Sequence, residues 1–181
     1  SKIFDDLKNL TKDDKGIRRE SYGSGENTAL KYLIKLATEF SFFVEIDEAA
    51  NVIFSINEVK NNSYILIGSH IDSVPSGGNF DGLAGIVSGF IILTEIKKSN
   101  IKTKFPVKVI ALRGEESAWF GINYIGSKAI FGLLTDKDLN SKHRDKDLVL
   151  KDAMSSCGAN IKLIKSSKKL LDKNKVKAFI E

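Results

Sequence analysis

Tyr64-Ile65-Leu66-Ile67-Gly68-Ser69-His70-Ile71-Asp72-Ser73 is the stretch on which the reading of this chain turns. Its first half is a short, uninterrupted apolar run, the pattern of a strand covered on both faces of a sheet. Its second half sets an imidazole and a carboxylate at the end of that strand. Val107–Leu112 repeats the arrangement, a second buried strand followed by Arg113-Gly114-Glu115-Glu116-Ser117. In open α/β sheets, sites form at the carboxyl ends of such strands.

Working outward, Gly82–Lys98 carries a helical face in Leu83, Ile86, Val87, Phe90, Ile91 and Thr94. Upstream, Ser1–Leu10 reads as a short amphipathic helix through Ile3, Phe4, Leu7 and Leu10. Gly16–Gly25 is polar and glycine-punctuated, hence a loop. The next helix begins at Ser24 or Glu26, runs to about Glu39, and buries Leu30, Leu33, Ile34 and Ala37. Phe42–Ile46 and Asn51–Val59 read as strands separated by a turn at Asp47–Ala50, and Asn61-Asn62 signals another turn. Downstream, Asp147–Cys157 reads as a helix ended by Gly158, and Val176–Ile180 as a last strand. Helix-like and strand-like segments alternate, which predicts an α/β layered sheet.

The chain has 181 residues, 42% hydrophobic and 28% charged, enough for one core and one domain. No apolar run approaches the roughly 20 residues needed to span a bilayer. The first residues, Ser1-Lys2-Ile3-Phe4-Asp5-Asp6, lack the basic-then-apolar layout of a secretory signal. With Cys157 as the single cysteine, no internal disulfide forms, and a cytoplasmic location is the expectation. The net charge of +5 comes from scattered lysines, such as Lys97-Lys98 and Lys168-Lys169, and from a lysine-rich tail after Lys162. A nucleic-acid binder concentrates base on one stripe with aromatics interleaved, and there is none, so the lysines are a solvated surface.

The chemistry-bearing groups are His70, Asp72 and Asp81 after the first buried strand and Glu115 and Glu116 after the second. Imidazole with carboxylate suits zinc or a similar divalent metal. Adjacent glutamates on extended backbone point in different directions, so one can bind metal while the other faces a water. Each group also has an ordinary reading. A histidine at a strand end can be structural, a Glu-Glu pair can be solvated charge, Asp72 can be a turn residue, and Asp81 beside Gly82 can cap the following helix. Spacing alone leaves both sets of readings open.

Gly68-Ser69-His70-Ile71-Asp72-Ser73-Val74-Pro75-Ser76-Gly77-Gly78-Asn79-Phe80-Asp81-Gly82 resembles a signature of the M20-type metallohydrolases. Within them it is similar to the hydantoinase/carbamoylase branch of N-carbamoyl-L-amino acid hydrolases, allantoate amidohydrolases and β-ureidopropionases. Glu115-Glu116-Ser117-Ala118-Trp119-Phe120 with Gly126-Ser127-Lys128-Ala129-Ile130-Phe131-Gly132 resembles the next family block, and Asp47-Glu48-Ala49-Ala50-Asn51-Val52 a further one. The resemblance runs from about Gly16 to the end. It implies residues 1–181 as the amino-terminal portion of a three-layer α/β/α, zinc-exopeptidase-like catalytic domain. It implies His70 as ligand to one metal, Asp81 as a bridge between two, Glu116 as ligand to the second, and Glu115 as general base. Asp72 would accept the other ring proton of His70 and hold its orientation. The implied reaction is hydrolysis of a linear amide or ureido C–N bond in a small N-carbamoyl or ureido substrate, with two divalent ions, zinc or else manganese or cobalt.

The match departs at the end of the chain and, to a smaller degree, at Trp119 and Arg113. In the family the strand matching Lys177–Glu181 leads into a segment whose histidine is a metal ligand. The family's lid and dimerisation domain, which implies a homodimer, has no counterpart here. His143, the other histidine, lies in a charged loop and is not expected to be a ligand. Each metal would keep Asp81 and one further ligand, so weak or partial occupancy and little activity are expected of the isolated chain. Trp119 stands where many relatives have arginine, and Arg113 is also unusual; both leave the substrate open, and Trp119 with Phe120 reads as packing beside the site. An M20 peptidase and a non-catalytic module keeping the fold are the competing expectations.

Overall fold

The computed structural model describes residues 2–60, 62–166 and 170–181. The expectations at Ser1, Asn61 and Lys168-Lys169 lie outside the described residues. The chain opens with α1 (Lys2–Thr11) and α2 (Ser24–Glu39), followed by β1 (Phe43–Ile46), β2 (Val52–Ser55) and β3 (Tyr64–His70). After α3 (Leu83–Lys98) and β4 (Val107–Leu112) come four short helices, α4 (Ile125–Ile130), α5 (Asp136–Leu139), α6 (Leu150–Ser156) and α7 (Ile161–Lys165). A 3-10 turn at Lys173–Lys175 leads into β5 (Val176–Ile180).

The five strands form one mixed sheet in the order β1-β2-β4-β3-β5. β3 runs parallel to β4 and to β5, whereas β2 is antiparallel to both β1 and β4. His70 pairs in register with Leu112, so the histidine loop and the glutamate loop leave the sheet side by side. This follows from the two apolar runs: parallel central strands bury both faces, and only such runs tolerate that.

One face is covered by α1, α2 and α3. Leu83, Ile86, Val87, Phe90 and Leu93 recur at helical spacing and pack with Leu30, Leu33 and Ala37 of α2 onto Phe54, Ile67 and Val109. Phe90 meets Phe54 edge-on at 4.7 Å between ring centroids. On the other face Ile53, Tyr64, Leu66 and Ile110 form a smaller cluster, and α4 to α7 enclose a separate core around Trp119, Ile125, Leu139 and Met154. The result is the expected helix–sheet–helix layering.

Three expectations shift. The strand predicted over Asn51–Val59 is only Val52–Ser55, and all four residues are buried rather than alternating, because Val52 and Phe54 join the core under α2 and α3 while Ile53 packs with Tyr64, Leu66 and Ile110 on the other face. The helix predicted from Asp147 begins at Leu150, since the preceding backbone is extended and bridges through Val149 to Lys142. Ile34 is half-buried, at the margin of the α2 face rather than inside it.

Candidate metal centre

His70 is the last residue of β3, and burial leaves it 6% exposed. Its Nδ1 lies 3.0 Å from the Asp72 carbonyl oxygen and 3.4 Å from Asp72 Oδ1. The ring proton is therefore held by the backbone as much as by the carboxylate. Nε2 faces the space where Asp81 Oδ1 stands 3.7 Å away and Glu115 Oε2 3.9 Å away, and presents a lone pair there once the ring is neutral. Both distances exceed hydrogen-bonding range.

Asp81 reaches this position because of Gly82. That residue adopts φ +64°, and a Cβ there would stand 2.3 Å from the His70 carbonyl oxygen and 2.6 Å from its ring. Only glycine lets the entrance to α3 pass so close over the histidine. Gly82, not Asp81, is the N-cap residue of α3, and no side-chain cap bond is made there, so Asp81 does not serve the helix. Its side chain is 72% exposed.

Asp72 has the opposite surroundings. It is fully buried. The Ser21 hydroxyl donates to Oδ2 at 2.6 Å, the Glu116 backbone N–H donates to Oδ2 at 3.1 Å, and the Glu115 N–H donates to Oδ1 at 3.0 Å. Asp72 thus ties the glutamate loop to the histidine loop through two backbone bonds. It is neither a turn residue nor a solvated acid.

Among the described residues, His70, Asp81 and Glu116 each offer a ligand atom, and these atoms lie within 4.8 Å of one another. Burial raises the Glu115 and Glu116 carboxyls above the usual range; the imidazole opposes the shift, and Asp72, Asp81 and, for Glu116, Glu115 add to it. For His70, burial works against the imidazolium, but the hydrogen bond and charge of Asp72 and the charge of Glu115 prevail and carry its pKa to about 9. Carboxylates crowded together, beside an imidazole whose Nε2 proton an arriving ion can displace, fit a divalent cation.

Sequence reasoning placed these five residues but missed what braces them. The segment after Gly16, read as a polar loop, is buried from Arg19 to Tyr22. Arg19, 0% exposed, donates from Nε to the Ile71 carbonyl at 2.7 Å and from Nη1 to Asn79 Oδ1 at 3.3 Å. Burial lowers its pKa to about 10, against the pull of Asp72 and Asp81. Glu26 is fully buried in α2 and accepts from Arg113 Nε at 2.6 Å, from the Tyr22 N–H at 2.8 Å and from the Gly114 N–H at 3.0 Å. The unusual Arg113 is thus the partner of a buried acid, and its plane lies 4.7 Å from the Tyr22 ring centroid. Trp119 is fully buried and donates from Nε1 to the Ser73 carbonyl at 2.7 Å, the packing role expected. His143 is buried between Trp119 and Phe120, away from the metal cluster. The signal available for the brace was Gly25, whose missing Cβ lets the backbone approach the Arg18 carbonyl.

Residues 51–177 match the family model described as Peptidase family M28. The chain is 31% identical over 144 residues to the N-carbamoyl-L-amino acid amidohydrolase of Geobacillus stearothermophilus, which covers 79% of this chain and 35% of that protein. It is 32% identical over 136 residues to the allantoate amidohydrolase of Escherichia coli strain K12, covering 75% of this chain and 32% of that protein. In fold it is similar to a hydantoinase/carbamoylase family amidase from Burkholderia ambifaria, with TM-score 0.77 and 24% identity over 87% of this chain and 39% of that one. The chain spans about a third to two-fifths of the length of the curated relatives it matches. On this footing the chain belongs to peptidase family M28, and over most of its length it is similar to N-carbamoyl-L-amino acid and allantoate amidohydrolases.

Proposed function

We propose that residues 1–181 are the amino-terminal portion of the catalytic domain of a metal-dependent amidohydrolase that cleaves the C–N bond of a small N-carbamoyl or ureido compound. The observation that carries this reading is the convergence of His70, Asp81 and Glu116 within 4.8 Å. In it His70 and Glu116 would each help to hold an ion and Asp81 would serve both. Bound divalent ions supply Lewis acidity toward a water and the substrate carbonyl. Glu115, whose pKa is raised mainly by burial, takes the proton of the attacking water and passes it to the leaving nitrogen. Asp72 holds the His70 ring and the backbone of both glutamates in place.

A catalytic zinc ordinarily has about three protein ligands, and three residues shared between two ions fall short of that. The 181-residue chain is therefore expected to bind zinc, manganese or cobalt weakly and to turn over little substrate. The relatives support N-carbamoyl amino acids and allantoate as the substrates to try first. The M28 match supports a dipeptide control. A cytoplasmic setting rests on the single cysteine, and the homodimer is tested by sedimentation of a chain spanning the relatives' full length. Among the described residues no helix is long and apolar enough to cross a membrane.

The test is calorimetric titration with zinc and with manganese, alongside melting with and without metal. Weak saturable binding that Asp81→Ala abolishes is the expected result. No response to any divalent ion overturns the metallohydrolase reading, and robust hydrolysis of an N-carbamoyl amino acid by the 181-residue chain overturns the claim of low activity.

A further inference from the structure

We infer that Ser21 is a positioning residue of the metal centre, acting through the Asp72 carboxylate; the inference rests on the metal-binding reading of His70, Asp81 and Glu116. Ser21 is 1% exposed and belongs to no helix or strand. Its hydroxyl makes the shortest of the three hydrogen bonds that Asp72 accepts, at 2.6 Å. The other two come from backbone N–H groups of Glu115 and Glu116, which belong to the loop after β4. A carboxylate with two oxygens can rotate about its terminal torsion unless donors fix both. Ser21 and the Glu116 N–H share Oδ2, the Glu115 N–H takes Oδ1, and His70 Nδ1 stands 3.4 Å from Oδ1. With all of these made, the plane of Asp72 has one orientation, and the ligands that lean on it have one separation.

The segment around Ser21 reaches each ligand-bearing loop. Arg19 and Ser73 make two hydrogen bonds, the Arg19 N–H donating to Ser73 Oγ at 3.0 Å and the Ser73 N–H donating to the Arg19 carbonyl at 2.9 Å. Its guanidinium bonds Ile71 beside His70 and Asn79 two residues before Asp81. Asn79 in turn donates to the Phe4 carbonyl of α1 at 2.9 Å. Residues 17–22 thus form a strap behind the centre, and Ser21 is the point where it touches the charged group on which His70, Glu115 and Glu116 all depend. Its hydroxyl is committed to Asp72, so its effect is on geometry rather than on ligation.

The experiment is cobalt(II) titration of the 181-residue chain, followed by the visible d–d absorption and by calorimetry, for the parent, Ser21→Ala, Ser21→Thr, Asp72→Asn and the double variant. Loss of an outer hydrogen-bond partner of a metal site typically weakens metal binding about tenfold or more. Ser21→Ala is expected to raise the cobalt dissociation constant by about fivefold to tenfold and to alter the d–d spectrum, with Ser21→Thr restoring both. In the Asp72→Asn background the same alanine change is expected to have no further effect, because the two act as one unit. Unchanged cobalt affinity in Ser21→Ala overturns the inference, as does an equal loss in both backgrounds, which marks a merely structural role. If the parent binds no cobalt, or Asp81→Ala leaves its binding intact, the metal-centre reading fails and this inference with it.

Discussion

Asp72 and Asp81 stand nine residues apart in one motif and occupy opposite worlds. Asp72 lies on the floor of the centre, fully buried, with three donors on two oxygens. Asp81 stands on the rim with its side chain 72% exposed, and its nearest charged partner is an imidazole nitrogen at 3.7 Å. The same division separates Glu26, buried under three donors, from Glu115 and Glu116, half-exposed and mutually repelling. A carboxylate whose lone pairs are matched by donors is part of the framework. One left with free lone pairs beside like charges is available to a cation. In this molecule the floor builds the site, and the rim carries the groups that the proposed chemistry would use.

The sharpest way to break that comparison is at the floor. Arg113→Met leaves Glu26 as a buried acid without its cation, and the loss of one partner of such a pair costs about 3–5 kcal/mol. Urea unfolding should show a loss of that size; a loss under about 1 kcal/mol would place Glu26 and Arg113 outside the framework. Gly82→Ala comes next. It forces a side chain into positive φ and against His70, at a cost of about 1–3 kcal/mol, and it should also remove metal binding by moving His70 or Asp81. A Gly82→Ala protein that binds metal like the parent would separate α3 from the site.

A pH profile sharpens the comparison at the boundary between floor and rim. The folded pKa of His70, about 9, lies above its ordinary value of 6.5. The stability that protonated His70 gives the metal-free fold is therefore fully present below pH 6.5 and is lost as pH rises through about 9. Melting temperatures of metal-free protein should fall across that window, less steeply in His70→Gln. Metal affinity should rise across the same window, since the ion competes with a proton at the ring. The smallest effect belongs to the rim. Asp81→Ala should change metal-free stability by no more than about 0.5 kcal/mol while abolishing the metal-dependent rise in melting temperature. A large loss without metal would show that Asp81 is framework after all.

Which parts were legible in the sequence follows the same line. Buried parallel strands write themselves as apolar runs, so β3 and β4 were readable, and with them the positions of His70, Asp72, Asp81, Glu115 and Glu116. The family resemblance then implied which of these groups would be ligands, a choice that spacing alone had left open. The strap was not readable. Arg18-Arg19-Glu20-Ser21 has the composition of a surface loop, yet it is buried from Arg19 onward because polar atoms of Arg19 and Ser21 find partners more than 50 residues away. Periodicity carries no information about such pairings. The helices α4, α5 and α7, of six, four and five residues, are too short to display a period, and their identity depends on the core around Trp119.

The sheet order carries a consequence for how the centre comes into being. β3 pairs with β4 across a whole intervening helix, Ser21 meets Asp72 over 51 residues of sequence, and Ser69 meets Glu181 over 112. Contacts this distant close slowly, because the chain entropy they remove is lost before the contacts form. Local pairing of β1 with β2 and of α1 with α2 has no such delay. The proposed cation site is therefore a late product of folding rather than its seed. In a refolding experiment, cobalt absorbance should lag behind the helical signal, and its arrival would serve as a clock for the closing of the parallel strands.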